Sequence, residues 1–132
     1  YRVHGCAYEI TVSNCDTPVR FSVAPHNGSA GAADVEDNSE HPYSKTVIVN
    51  SMANGGGAIK KIKGYIGMKK LMGRTLLDDR DEAVFGSSPS ESATLSIKYD
   101  SLDAATTITS INWEIKLVYY TEMFDRIALL GS

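Results

Sequence analysis

Short segments in which apolar and polar residues strictly alternate recur along this 132-residue chain, and that period of two commits most of it to half-buried strands. Tyr8, Ile10 and Val12, with Cys6 in phase, share one side of a segment whose other side carries Glu9, Thr11 and Ser13. Val19, Phe21 and Val23 then alternate with Arg20 and Ser22 until Pro25. Residues 14–18, NCDTP, separate the two segments with turn formers, which predicts an antiparallel hairpin. Residues 45–50, KTVIVN, form a β-branched run of strand length. The clearest signal lies in the last third, where Leu95, Ile97 and Tyr99 share one phase and Ile111, Trp113, Ile115, Leu117 and Tyr119 another. These two long strands are expected to pair across the 100–107 loop, with Trp113 and Tyr119 in the core.

Residues 59–73, IKKIKGYIGMKKLMG, change period part way along. Ile62, Gly64 and Ile66 sit on one side of a strand and Lys61, Lys63 and Tyr65 on the other. From Met68 the spacing becomes helical, with Met68, Leu71 and Met72 at i, i+3 and i+4, Lys69 and Lys70 pointing away, and Gly73 as a stop. Residues 26–44 show no period and are expected to form a long surface loop. Residues 83–85 read as a further brief strand. Many strands at short spacing, one helical turn and no internal repeat predict an all-β antiparallel sandwich of jelly-roll type.

The length fits one domain with one core. A net charge of −3 argues against nucleic-acid binding by the chain as a whole, so any such contact must be local. No run approaches the ~20 apolar residues that span a bilayer, so no membrane partner is expected. Cys6 and Cys15 are nine residues apart along one strand direction, roughly 30 Å if straight against the ~7 Å limit for a bridge, so both are expected as reduced thiols. His4, His26 and His41 lack ligand spacing, and Gly86-Ser87-Ser88-Pro89 is a turn rather than a nucleophile elbow. Neither an enzyme nor a cofactor is indicated. Two acidic groups, Asp34/Glu36/Asp37/Glu40 and Asp78/Asp79/Asp81/Glu82, hold donors that calcium accepts, but neither has EF-hand spacing and solvated loops are the expectation.

The 59–73 block, followed by LLDDRDEAVFGSSP at 76–89, resembles the MKKLFG-type block of capsid proteins from small circular Rep-encoding single-stranded DNA viruses, whose coats are similar to that of satellite tobacco necrosis virus. The C-terminal NWEIKLVYYTEMFDRIALLGS is similar to the final strand of those proteins, with its tyrosine pair and Phe-x-Arg-Ile-like tail at Tyr119, Tyr120, Phe124, Arg126 and Ile127. The N-terminal YRVHGCAYEITVSN resembles their YxVxGSxIxVxxxN strand, with Cys6 where a small residue is usual. Such proteins carry an Arg/Lys-rich arm and two jelly-roll strands ahead of this point. The resemblance therefore implies that residues 1–132 are a single jelly-roll capsid domain, the C-terminal part of a longer coat protein.

It further implies a structural subunit that assembles with copies of itself into a small icosahedral shell around a single-stranded genome, DNA in the viruses it resembles. The expected location is the virion, and the host cell interior during assembly. Lys60, Lys61, Lys63, Lys69 and Lys70 are the genome-contact candidates, because neutralising phosphates needs charge and no base-specific geometry. Met123, Phe124 and Ile127 are the subunit-contact candidates. A cellular β-sandwich module binding carbohydrate or a protein ligand is the alternative, and it predicts a monomer with an exposed aromatic platform.

Overall fold

The computed structural model describes residues 1–13, 15–28, 30–54, 57–73, 83, 87–89, 92–103 and 106–124. Six strands run through them: β1 (Arg2–Ser13), β2 (Val19–Asn27), β3 (Lys45–Val49), β4 (Lys60–Gly67), β5 (Ala93–Ser101) and β6 (Asn112–Glu122). They form two antiparallel three-stranded sheets, ordered β4-β1-β6 and β3-β2-β5. Helix α1 (Val35–Glu40) lies between β2 and β3, and helix α2 (Met68–Met72) continues directly from β4. The expected all-β sandwich is what these residues build.

The alternation of β1 and β2 sets the core. Tyr8, Ile10 and Val12 of the first sheet face Val19, Phe21 and Val23 of the second, and all six are buried with Val49 and Ile62. Each fully buried side chain of this size contributes about 1.5–3 kcal/mol. Ile10 is held between Ile62 of β4 and Ile115 of β6, and Phe21 between Val47 of β3 and Tyr99 of β5. The Tyr8 ring lies over Gly64, where a Cβ would stand 2.3 Å from it, so the strand needs glycine there to let the ring close on the core.

The period change at residues 59–73 is reproduced. Ile62 and Ile66 are buried, while Lys61, Lys63 and Tyr65 are exposed. Met68, Leu71 and Met72 are half-buried, Lys69 and Lys70 exposed, and Gly73 ends the helix at φ +70°. A left-handed residue at that point favours glycine.

Three expectations are corrected. β1 and β2 are not a hairpin: they lie in different sheets, and the intervening chain crosses the end of the sandwich with Cys15 buried beneath it. Likewise β5 and β6 do not pair with each other, β5 lying against β2 and β6 against β1. The 26–44 segment is not all loop. Asp34 caps α1 by accepting a hydrogen bond from the Asp37 amide at 2.9 Å, and α1 covers the outer face of β2. That cover explains why Ser22 is as buried as Val23. Asn38 donates to Ser22 Oγ at 3.2 Å and to the Ser96 carbonyl at 3.3 Å, so the buried polar atoms are paired. Of the brief strand expected at 83–85, residues 84 and 85 lie outside the described residues; Ala83 exchanges main-chain hydrogen bonds with Tyr1.

Candidate interaction surfaces

One side of the sandwich is closed and the other open. On the β3 and β4 side the Lys45 ammonium donates to the Lys63 carbonyl and ties the two sheets together. Toward β5 and β6 an apolar cleft of about 450 Å³ opens, bordered by Leu95, Leu117 and Tyr119 of those strands, by Cys6, and by Met68, Leu71 and Met72 of α2. Trp113, Leu117 and Tyr119 stand opposite Val12, Tyr8 and Cys6 of β1, so they occupy core-facing positions. Yet Trp113 remains 46% exposed and Tyr119 58%. The expectation that Trp113 and Tyr119 are core residues is thus corrected: they face inward, but both stay about half exposed, and among the described residues no strand of the second sheet pairs beyond β5 to cover them. Tyr99 on β5 repeats the pattern, stacked on Phe21 at 6.4 Å between centroids and still 46% exposed. Burial at the cleft wall pushes the Cys6 thiol and the Tyr119 hydroxyl up from their ordinary values. Both cysteines are free.

The outer face of the first sheet carries a different chemistry. Register places Lys63, Glu9 and Lys116 in one row across β4, β1 and β6, and Lys61, Thr11 and Glu114 in the next. Glu9 accepts from Lys61 at 2.9 Å and from Lys63 at 3.0 Å, and those two bonds hold its carboxyl down at about 2. Tyr65 lies over Gly5 and meets Tyr120 edge-on at 5.6 Å, leaving both rings more than half exposed.

The five lysine candidates therefore do not share one surface. Lys61 and Lys63 divide a single carboxylate on the sheet face. Lys60 has the strand phase of Ile62 and stands at the sandwich end, 3.6 Å from where a Gly57 Cβ would lie. Lys69 and Lys70 project from α2, and the Lys70 ammonium sits 4.8 Å above the Tyr43 ring. Beside it is an open hollow of about 420 Å³ whose wall includes Pro25, Pro42, Tyr43, Lys45, Tyr65 and Lys70. Lys45 and Tyr43 were not singled out by sequence, since the turn that brings them to α2 has no period to read.

Histidines that are fifteen residues apart in sequence meet here: the His26 and His41 rings are 4.4 Å apart, and Tyr43 meets His41 at a tilt, 5.8 Å between centroids. His26 Nε2 donates to Asn38 Oδ1 at 3.1 Å, while His41 Nδ1 accepts from the Tyr43 amide at 3.3 Å. His41 is depressed below its ordinary value, first by burial and then by the charge of His26. The acidic groups are divided as well. Asp34 serves as the α1 cap, and Glu36 reaches Arg20 at 3.4 Å, whose guanidinium is gripped by both Asp100 oxygens at 3.1 and 2.6 Å. Among the described residues no three His, Cys, Asp or Glu side chains converge on a metal-sized site. Asp78, Asp79, Asp81 and Glu82 lie outside the described residues.

Of the contact candidates, Met123 is 76% exposed just past β6, and Phe124 packs beneath the Arg2 guanidinium at 5.7 Å. Ile127 lies outside the described residues. Comparison with protein-family models, with curated proteins and with solved structures finds no match to this chain.

Proposed function

We propose that the chain is a jelly-roll capsid subunit that assembles with copies of itself into a small icosahedral shell around a single-stranded genome. The observation that carries this reading is the topology. Of the five connections between successive described strands, β2 to β3 stays within a sheet and the other four cross from one sheet to the other. Such crossing is how Greek keys wind a jelly roll, whose eight strands fall four to a sheet. Among the described residues each sheet has three, and no described strand pairs with the outer edge of β6 or of β5, the two strands that border the open cleft. One further strand at each edge would complete two four-stranded sheets and cover Trp113, Leu117, Tyr119 and Tyr99. The capsid resemblance of the 59–73 block supplies the rest of the reading.

In this role the work is binding rather than catalysis, and subunits meet through apolar residues left at edges and ends, Met123 among them, in contacts closed by rotational symmetry. The exposed Tyr65 and Tyr120 pair favours a second reading, a monomeric β-sandwich module with an aromatic platform for a carbohydrate or protein ligand. Negative-stain microscopy of the native protein separates the two. Uniform closed shells are expected; dispersed monomers at every protein concentration would reject the capsid reading in favour of the module.

A further inference from the structure

We propose that the hollow between the 42–45 turn and the β4–α2 corner receives one nucleotide of a single-stranded nucleic acid, with its phosphate at the Lys45 and Lys70 ammonium groups and its base against the tyrosines. This rests on the genome-enclosing role proposed above and names where a strand would touch the subunit.

Three observations carry it. The hollow measures about 420 Å³, within the ~300–1,000 Å³ range of small-ligand sites. Among the described residues its wall brings together two lysines and three tyrosines, Tyr8, Tyr43 and Tyr65, and no carboxylate, in a chain whose net charge is −3. The two cations also differ from their neighbours in what they already hold. Lys61 and Lys63 are drawn down onto Glu9, whereas among the described residues neither Lys45 nor Lys70 makes an ion pair. Lys45 uses one proton on the Lys63 carbonyl, which fixes it at the rim with two protons unspent. Lys70 rests on the Tyr43 ring, a contact that a phosphate oxygen can displace, and moving Lys70 aside exposes that ring to a base. His41 backs Tyr43 at 5.8 Å and keeps the ring in place.

The chemistry suits a strand of any sequence. A phosphate needs only positive charge, and a base of either kind offers a π-face to a tyrosine. Two lysines on one phosphate and one ring under one base define a single-nucleotide site, not a groove.

Fluorescence anisotropy with a labelled octathymidylate, between 50 and 200 mM salt, tests the site on the full chain. Lys45→Ala/Lys70→Ala should weaken binding about tenfold and lower the slope of log K against log salt by about 0.7, the value for one phosphate contact on a single strand. Tyr43→Leu, which keeps bulk but removes the π-face, should weaken binding about tenfold for the octathymidylate and not at all for an abasic strand of equal length. Lys116→Ala, on the outer sheet face, should change neither the stacking preference nor the double variant's loss. Circular dichroism checks that each variant folds. Binding by the double variant equal to wild type overturns the proposal, as does equal wild-type affinity for the abasic strand. A heparin oligosaccharide that depends equally on Tyr43 would overturn it too, since a sulfated sugar offers no base. If the double variant still forms shells while octathymidylate binding is unchanged, this site is refuted and the capsid reading stands; absence of shells in wild type refutes the latter whatever the anisotropy shows.

Discussion

His41 can accept the Tyr43 amide hydrogen only while its Nδ1 is unprotonated. Burial and the neighbouring His26 ring hold its pKa below the ordinary 6.5, so between that depressed value and 6.5 the unfolded chain binds more protons than the folded one. Stability from this group is complete above about 6.5 and falls as the pH drops through that window. Glu9 and Asp16 titrate lower. Each is held at about 2, Glu9 by Lys61 and Lys63 and Asp16 by the Thr109 hydroxyl and amide, so their contributions are present above the ordinary carboxylate values of 4.5 and 3.8 and are lost on approach to 2. Urea midpoints measured at pH 7.5 and 5.0 should therefore drop in wild type and drop less in His41→Gln, which cannot be charged. A wild-type drop matched in full by the variant would show that His41 is not the titrating group. None of this was readable from sequence, because fifteen residues without a period separate the two rings that α1 folds together.

At the scale of elements, strand existence was legible and strand partners were not. Alternation at Tyr8, Ile10 and Val12 states which face of β1 is buried, but it is silent on which strands lie alongside. Chain neighbours joined by NCDTP suggested a hairpin, and the one residue that argued otherwise was Cys15, an apolar side chain inside a turn that needs a core beneath it. Helix α2 was legible because Met68, Leu71 and Met72 share a stripe; α1 was not, since six residues bury only Val35 and Asn38. What the sequence did contain was a cap: Asp34 with its amide partner three residues on. Asp34→Ala should cost about 1 kcal/mol and loosen the cover over Ser22, read as a lower urea midpoint with an unchanged slope. Asp34→Asn, which keeps an accepting oxygen, should restore most of it. An Ala variant as stable as wild type would mean the cap does not hold α1 down.

For the whole molecule, the inward direction of Trp113, Leu117 and Tyr119 could be read from alternation, but coverage could not, because cover belongs to the opposite sheet and not to the strand itself. Trp113 is the chain's one tryptophan and therefore reports on the open side. Its emission should be that of a half-exposed indole in the 132-residue chain and move to shorter wavelength when the subunit is assembled with its sheets completed. Emission that stays put on assembly would mean the inner face of β6 at Trp113 is left uncovered. The lysines were legible as a cluster in sequence and proved divided in space, two on a sheet face, one at the sandwich end and two on a helix, since a strand running into a helix turns its side chains to different neighbours.

The crossing connections have a consequence for how the chain is made. β1 is the central strand of its sheet, and its partners arrive from residues 60–67 and 112–122, the second of them more than a hundred positions after Arg2. β1 is made before either of these partners and keeps one edge open until β6 follows, and pairing across such separations is slow. The first sheet cannot close until β6 is released, so truncation anywhere before Asn112 leaves β1 with a bare edge that other nascent copies can occupy.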